Sequence, residues 1–294
     1  MNKPKVYFTN KLEPSSLVKL YETLGKELPG KIAVKLHSGE KGNQNYLKPE
    51  FVKDIIEKVN GTVVECNTAY EGARNTTEKH KKLLEEHNWT KYFTVDILDS
   101  EEEITLENPN GKIIQKNYVG AKMKDYDSLL VLSHFKGHPM GGFGGALKNI
   151  SIGLASSQGK RYIHCSGKEN ASYEDMFTSD HDSFLESMAD ACKTIKDFYK
   201  DNIVYINSMV NLSVDCDCCA TAKDPCMKDI GILASLDSVA LDQACIDLVY
   251  QSKDPGRDTL VERIESRNGL LTIEAAEKQQ VGSREYELIN IDEQ

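Results

Sequence analysis

Residues 128–149 read S-L-L-V-L-S-H-F-K-G-H-P-M-G-G-F-G-G-A-L-K-N. The run Leu129-Leu130-Val131-Leu132, set between two serines, has the length and apolar character of a buried strand. His134 and His138 follow four apart. Gly141, Gly142, Gly144 and Gly145 then crowd into five positions around Phe143. Lys148 and Asn149 open an apolar, helix-like stretch. Strand, glycine-rich loop and helix start make an α/β unit in which bare backbone can approach a ligand closely.

Outward from this unit the same alternation continues. Val6–Thr9, Lys31–Leu36 and Thr62–Cys66 read as strands, separated by helical spacings at Ser15–Leu24 and from Pro49 to Val59. Ser15 or Ser16 is the predicted cap of the first helix. Thr76–His87 reads as a charged helix. This rhythm predicts a mainly parallel, doubly wound α/β sheet with right-handed crossovers. Between Tyr92 and Gly120 it breaks: Val95–Leu98, Glu103–Leu106 and Lys112–Gln115 read as strands of an antiparallel insertion, with Pro109-Asn110-Gly111 as a turn. Lys160–Ile163 reads as a strand, Phe184–Tyr199 as a helix, Ile203–Val214 as a long strand and Ser238–Tyr250 as a helix. We expect one α/β lobe over residues 1–160, carrying the glycine loop. A second α/β lobe over 161–294 would carry a cysteine cluster, with a site between the two.

Composition limits the function. The 36 Lys+Arg against 46 Asp+Glu give a net charge of −10 and a pI of about 5.3. That argues against non-specific nucleic-acid binding, which needs basic surface. No segment approaches the ~18 apolar residues of a membrane span. The start, Met1-Asn2-Lys3-Pro4-Lys5, lacks the apolar core of a signal peptide. The expected location is cytoplasmic, and eight cysteines there suggest thiols or metal ligands rather than a disulfide framework.

Four further stretches can carry chemistry. Lys35-Leu36-His37-Ser38-Gly39-Glu40-Lys41-Gly42 follows the second strand, and Asn67-Thr68-Ala69-Tyr70-Glu71-Gly72-Ala73-Arg74 follows the third. Ligands of open α/β sheets bind outside the carboxyl ends of strands. Lys35, Glu40 and Arg74 are therefore cofactor-binding candidates, with Asn149 and the glycine amides, the two cations suiting an anionic group, and His37 is a candidate for proton transfer. His138, Lys148 and His164 join His37 as catalytic candidates, since a neutral imidazole relays protons near pH 7 and a lysine acts as base or anchor. Asp215-Cys216-Asp217-Cys218-Cys219 places three thiols in four residues. Soft thiolates suit zinc, iron or an iron–sulfur cluster, so Cys216, Cys218 and Cys219, with His134, are the metal candidates. Asp237 or Ser235 is a predicted helix cap, with Asp242 one turn on.

Taken together, Lys35–Asn43, Lys48–Val52, Asn67–Arg74, His134–Asn149, Asp215–Cys219 and Asp229–Asp242 resemble the DUF362 family of uncharacterised proteins, often labelled Fe–S centre proteins. Many members carry a ferredoxin-type insert. Here the corresponding region, 166–183, has no cysteine, so two [4Fe–4S] clusters are not implied. His138, Gly141–Gly145, Lys148 and His164 are also similar to the nucleotide-holding part of lactate racemase, over about thirty residues. The combined reading is an enzyme, an oxidoreductase or isomerase. It would bind an anionic or nucleotide-like cofactor, a metal, or both, and carry out redox or proton/hydride transfer, with a redox partner protein as one candidate partner. The alternatives are a non-catalytic metal or Fe–S carrier or sensor, and a nucleotide-binding regulatory module.

Overall fold

A computed structural model describes residues 3–293; Met1 and Asn2 of the N-terminal stretch lie outside the described residues. The chain begins β1 (Lys5–Thr9), α1 (Pro14–Thr23), β2 (Ile32–Lys35), α2 (Pro49–Lys58), β3 (Thr62–Glu65), α3 (Thr77–Glu86) and a short α4 (Trp89–Tyr92). α1 starts at Pro14 and has no side-chain cap, so neither Ser15 nor Ser16 plays the predicted part. Proline presets the first turn and needs no N–H there.

The middle of the chain departs from the sequence reading in ways with identifiable causes. β4 (Val95–Ile97) pairs parallel to β3 and extends the main sheet. The antiparallel insertion is β5 (Glu103–Glu107) with β6 (Lys116–Gly120). The strand predicted at 112–115 is a loop, because Lys112, Ile113 and Ile114 donate their backbone N–H groups to the Asp190 carboxylate. That takes the donors a strand ladder would need.

The apolar run is β7 (Ser128–His134), buried at every position. Its glycine loop is a hairpin rather than a bare turn: β8 (Lys136–His138) pairs antiparallel with β9 (Gly142–Gly144) ahead of α5 (Ala146–Ser151). Residues 160–163 lie in α6 (Ser157–His164), not in a strand. Ser156 starts that helix by accepting the Gly159 N–H at 3.0 Å. The remaining elements are α7 (Asp175–Thr178), α8 (His181–Tyr199), β10 (Ile203–Met209), β11 (Gly231–Ser235), α9 (Ser238–Gln251), α10 (Arg257–Ser266), α11 (Leu270–Lys278) and β12 (Glu287–Asn290). β10 ends well before Val214, where Asn211 turns the chain with φ at 49°.

Eight strands form one sheet in the order β12-β1-β11-β10-β7-β2-β3-β4. All its pairings are parallel except β1 with β11 and β10 with β11. The α/β class and the mainly parallel sheet are as the sequence predicts. The sheet runs on across the boundary expected near residue 160, because β7 and β10 lie side by side at its centre. Alternation along β7 sorts the core: Leu129 and Val131 pack with α5, α8 and α9, while Leu130 and Leu132 pack with α1 and α2. Each fully buried side chain of this size contributes about 1.5–3 kcal/mol. Among the described residues no helix is long and apolar enough to cross a membrane.

Candidate functional site

β10, β7, β2 and β3 are adjacent and parallel, so their carboxyl ends open on one side of the sheet. A cavity of about 330 Å³ lies there, where open α/β sheets bind ligands. It takes residues from the glycine loop and from the loops after the second and third strands and around the cysteines: His37, Arg74, His138, Lys148 and Cys218 line it, as does His164, whereas the Ser235–Asp242 stretch does not reach it.

Its floor is a buried ion network. Lys35 at the end of β2 contacts Glu65 at the end of β3 at 2.7 Å, both nearly solvent-free. Glu65 also accepts the N–H and hydroxyl of Ser38 at 2.8 Å. Arg74 reaches Glu40 at 3.2 Å and Tyr70 Oη at 2.7 Å. Burial pushes Glu65 up, but the Lys35 ammonium, with the Arg74 guanidinium, outweighs it and holds the carboxyl well below its usual range. Lys35, Glu40 and Arg74 thus already satisfy protein partners and brace the loops. His37 is held neutral by burial and by Arg74, and its Nδ1 accepts the Gly39 N–H. Glu65 escaped the sequence reading; its one signal was a carboxylate ending the apolar strand T-V-V-E.

A second buried cluster anchors the cysteine loop. Asp217 is wholly buried and contacts His134 Nδ1 and Lys136 Nζ, each at 2.9 Å. Burial raises its pKa, yet His134 and Lys136 hold it below the usual range. His134 Nε2 lies 2.6 Å from the Val210 carbonyl, so both its ring nitrogens are engaged. His134, expected among the metal ligands, thus has both donor atoms taken and is not in the group of donors around the thiols. Lys136 was not singled out, although it alternates with both histidines in sequence.

Cys216 and Cys218 flank Asp217, and their sulfurs lie within 4.8 Å of each other and of a His138 ring nitrogen. Cys219 is outside that cluster. Asn43 donates to the carbonyls of Cys216 and Cys219, and Tyr70 to that of Cys218. The loops after β2 and β3 therefore hold the cysteine backbone. Around Cys216 Sγ stand Lys148 Nζ at 3.8 Å and the Cys218 N–H at 3.4 Å. The Cys218 thiol, helped by Lys148 and His138, holds Cys216 well below the usual thiol range despite its burial. Sharing that proton raises Cys218 well above it.

His138 Nδ1 accepts the N–H of Gly141 at 2.8 Å and of Met140 at 3.2 Å. The ring is neutral, its pKa lowered to about 4 by burial and then by Lys148. Its proton consequently sits on Nε2, a donor toward Cys216. His138, Cys216 and Cys218 have the donor chemistry for a soft metal such as zinc. Ligation through Nε2 would require the ring proton to move to Nδ1, where two amide donors already point.

The glycines serve packing more than ligand capture. Gly142 has φ at 77° and lies against Gly269. A Cβ on Gly145 would sit 2.4 Å from Asp242 Oδ1. Asp242 accepts the N–H of Ala146 and Leu147 at 2.8 and 2.9 Å and the Asn207 amide at 2.7 Å. Of the two predicted caps, Asp237 rather than Ser235 caps α9. The amides expected to cradle phosphate are thus largely taken by the hairpin, by His138 and by Asp242. Gly144 and Gly145 line the cavity; Gly141 and Gly142 do not. Asn149 ties β2 to β7, donating to the carbonyls of Lys35 and Leu132 and to Ser133 Oγ.

Two lysines differ from the rest. Among the described residues no carboxylate lies within 4 Å of the ammonium of Lys148 or Lys160, and both line the cavity. Lys160, missed in the sequence, donates to the Ala155 carbonyl, and burial lowers its pKa. His164, one helical turn on, is held neutral at about 3 by burial and stacks on Phe184. Met176, Tyr173 and Phe177 add an apolar wall, the last two 45% and 62% exposed.

The family model described as a domain of unknown function, DUF362, matches residues 32–247. No curated protein matches the chain. Among solved structures it is similar to the lactate racemase apoprotein from Thermoanaerobacterium thermosaccharolyticum. Identity is 17% and the TM-score 0.43, over 69% of this chain and 50% of that one. It is also similar to the crystal structure of a protein from Thermotoga maritima, at 12% identity and TM-score 0.46, over 90% of this chain and 58% of that one. The chain thus spans between half and three-fifths of the length of these two.

Proposed function

The chain belongs to the DUF362 family, and on that premise we propose that it is an enzyme of redox or proton-transfer type. It binds an anionic small molecule in the cavity above Cys216 and Cys218. The observation that carries this reading is the pair Lys148 and Lys160, two cavity-lining ammonium groups without carboxylate partners among the described residues. Lys160 is buried without a counter-charge, which is costly, and an anion in the cavity offsets that cost; partly buried Lys148 has the Cys216 sulfur beside it. The wall of Met176, Tyr173 and Phe177 suits a carbon skeleton. An anion held by Lys148 would therefore lie near that sulfur and two neutral histidines. Eight unpaired cysteines suit a reducing compartment, so the proposed location is cytoplasmic.

The test is mass spectrometry of small molecules released by denaturing protein purified without oxygen. We expect an anionic compound in the wild type, depleted in Lys148→Ala and Lys160→Ala. Equal amounts in all three proteins would refute the reading.

A second reading, a metal-binding carrier or sensor, is favoured by the donor atoms of His138, Cys216 and Cys218 lying within 4.8 Å. When bound, a soft ion there would supply Lewis-acid or redox chemistry beside the anion. Stoichiometric metal by elemental analysis, lost in both Cys216→Ser and Cys218→Ser, would support it. Metal retained in both variants would refute it.

A further inference from the structure

We propose that Cys216 and Cys218 are a redox-active dithiol that closes to a disulfide while reducing a carboxylate-bearing disulfide bound in the cavity. The substrate class rests on the anion-binding reading above; the pair rests on its own geometry. The two sulfurs lie within 4.8 Å, on either side of an Asp217 fixed by His134 and Lys136. Closing that gap to the S–S length of about 2.0 Å needs only local movement of the loop. Cys219 also adjoins Cys218 at the cavity wall but lies outside the group formed with His138. Cys192 and Cys245 are wholly buried in the core, Cys66 bonds the Leu154 carbonyl and Cys226 that of Leu212.

The two thiols are placed for different parts. Cys218 lines the cavity and meets a ligand there, whereas Cys216 is wholly buried behind it. Cys216 is also the sulfur that collects donors, namely Lys148 Nζ and the Cys218 N–H, with a His138 ring nitrogen within 4.8 Å. Donors so placed stabilise a thiolate when one forms on Cys216, which suits the buried, resolving position.

The chemistry balances. Cys218 passes its proton to the Cys216 sulfur and attacks one sulfur of the bound disulfide. The substrate S–S bond breaks, a mixed disulfide forms on Cys218, and the first thiol leaves with the proton returned through Cys216. The Cys216 thiolate then attacks the Cys218 sulfur, forming the internal disulfide and expelling the second half as thiolate. Two electrons pass from the protein pair to the substrate. One thiol and one thiolate are consumed, and one of each is released. Lys148, beside Cys216, selects substituents bearing carboxylates.

The experiment uses the full-length, reduced, chelator-treated protein with glutathione disulfide as the anionic probe and cystamine as the cationic one. Remaining thiols are alkylated and the products read by intact mass and peptide mapping. In the wild type two of the eight cysteines should escape alkylation, mapped as a Cys216–Cys218 disulfide. Cys216→Ser should stop at one glutathionyl group on Cys218, and Cys219→Ser should still close. Should Cys216→Ser not fold, Cys218→Ser on the cavity wall must abolish the disulfide. A Cys218–Cys219 linkage, failure of Cys219→Ser to close, or alkylation of all eight cysteines overturns the pair. If an anion still binds in the last case, the anion-binding reading survives alone. Closure should be about tenfold faster with glutathione disulfide than with cystamine, and the ratio should fall toward one in Lys148→Ala. Equal rates in the wild type overturn the substrate class while the pair stands.

Discussion

Asp242→Asn isolates what seats the helix carrying Lys148 and Asn149. The substitution is isosteric, so it opens no cavity, and Asp242 is wholly buried, so water cannot compensate. Its carboxylate receives three donors: Ala146 and Asn207 on Oδ1 and Leu147 on Oδ2. An asparagine has one oxygen. In either orientation its NH₂ group faces at least one of these N–H donors at under 3 Å, donor against donor. One buried donor left unpaired costs about 1–3 kcal/mol, while burial, which raises the Asp242 pKa to about 6, already disfavours its charge, so weakening of the remaining bonds is offset. The expected loss is about 1–3 kcal/mol of unfolding free energy at pH 7. Guanidinium unfolding followed by circular dichroism measures it as a lower midpoint at unchanged slope. Asp258→Asn, whose side chain is 82% exposed, is the control and should stay within about 0.5 kcal/mol. A loss for Asp242→Asn no larger than the control's would refute the assignment of Asp242 as the anchor of α5.

Three further outcomes follow from the same physics. His80, His138 and His164 have folded pKa values lowered to about 3, 4 and 3, chiefly by burial. The unfolded chain therefore takes up more protons below about pH 6.5. Stability should be fully present above that pH and fall on acidification toward pH 4, by up to about 1.4 kcal/mol per pH unit for each histidine. Urea midpoints between pH 7 and 5 check this, and His80→Leu should flatten the slope. Lys35→Met leaves Glu65 buried without its ammonium and should cost about 3–5 kcal/mol, read by thermal unfolding. Gly137→Ala places a Cβ 2.4 Å from the Val214 carbonyl oxygen; a loss of about 1–3 kcal/mol is expected in the same assay, with slower alkylation of Cys218 if the cysteine loop shifts as well.

Much of the architecture is legible because burial imposes periods on the sequence. Leu129–Leu132 reads as a strand since every position is covered, and α2 shows its apolar face at Val52, Ile55 and Ile56. The errors fall where a remote side chain takes over a backbone. Asp190 unmakes a strand at 112–114 from seventy-odd residues away, and no local pattern announces it. The site was legible as a set of loops, since parallel strands send their carboxyl ends to one side. The partners within it were not. His134 and His138 are equivalent in sequence, and only Asp217 and the β8–β9 hairpin decide which of them meets the thiols. Lys35 and Lys160 look alike too, but Glu65 neutralises one and leaves the other uncompensated.

The strand order also sets a timetable. β1 is inserted between β11 and β12, and Thr9 bonds Asp292 across 283 residues. While β7, β2, β3 and β4 can assemble from shorter loops, Val6 and Phe8 wait for partners from the far end of the sequence. Closing so wide a loop is entropically slow. During synthesis this leaves an unpaired strand with apolar side chains in reach of other chains, the kind of surface that chaperones bind.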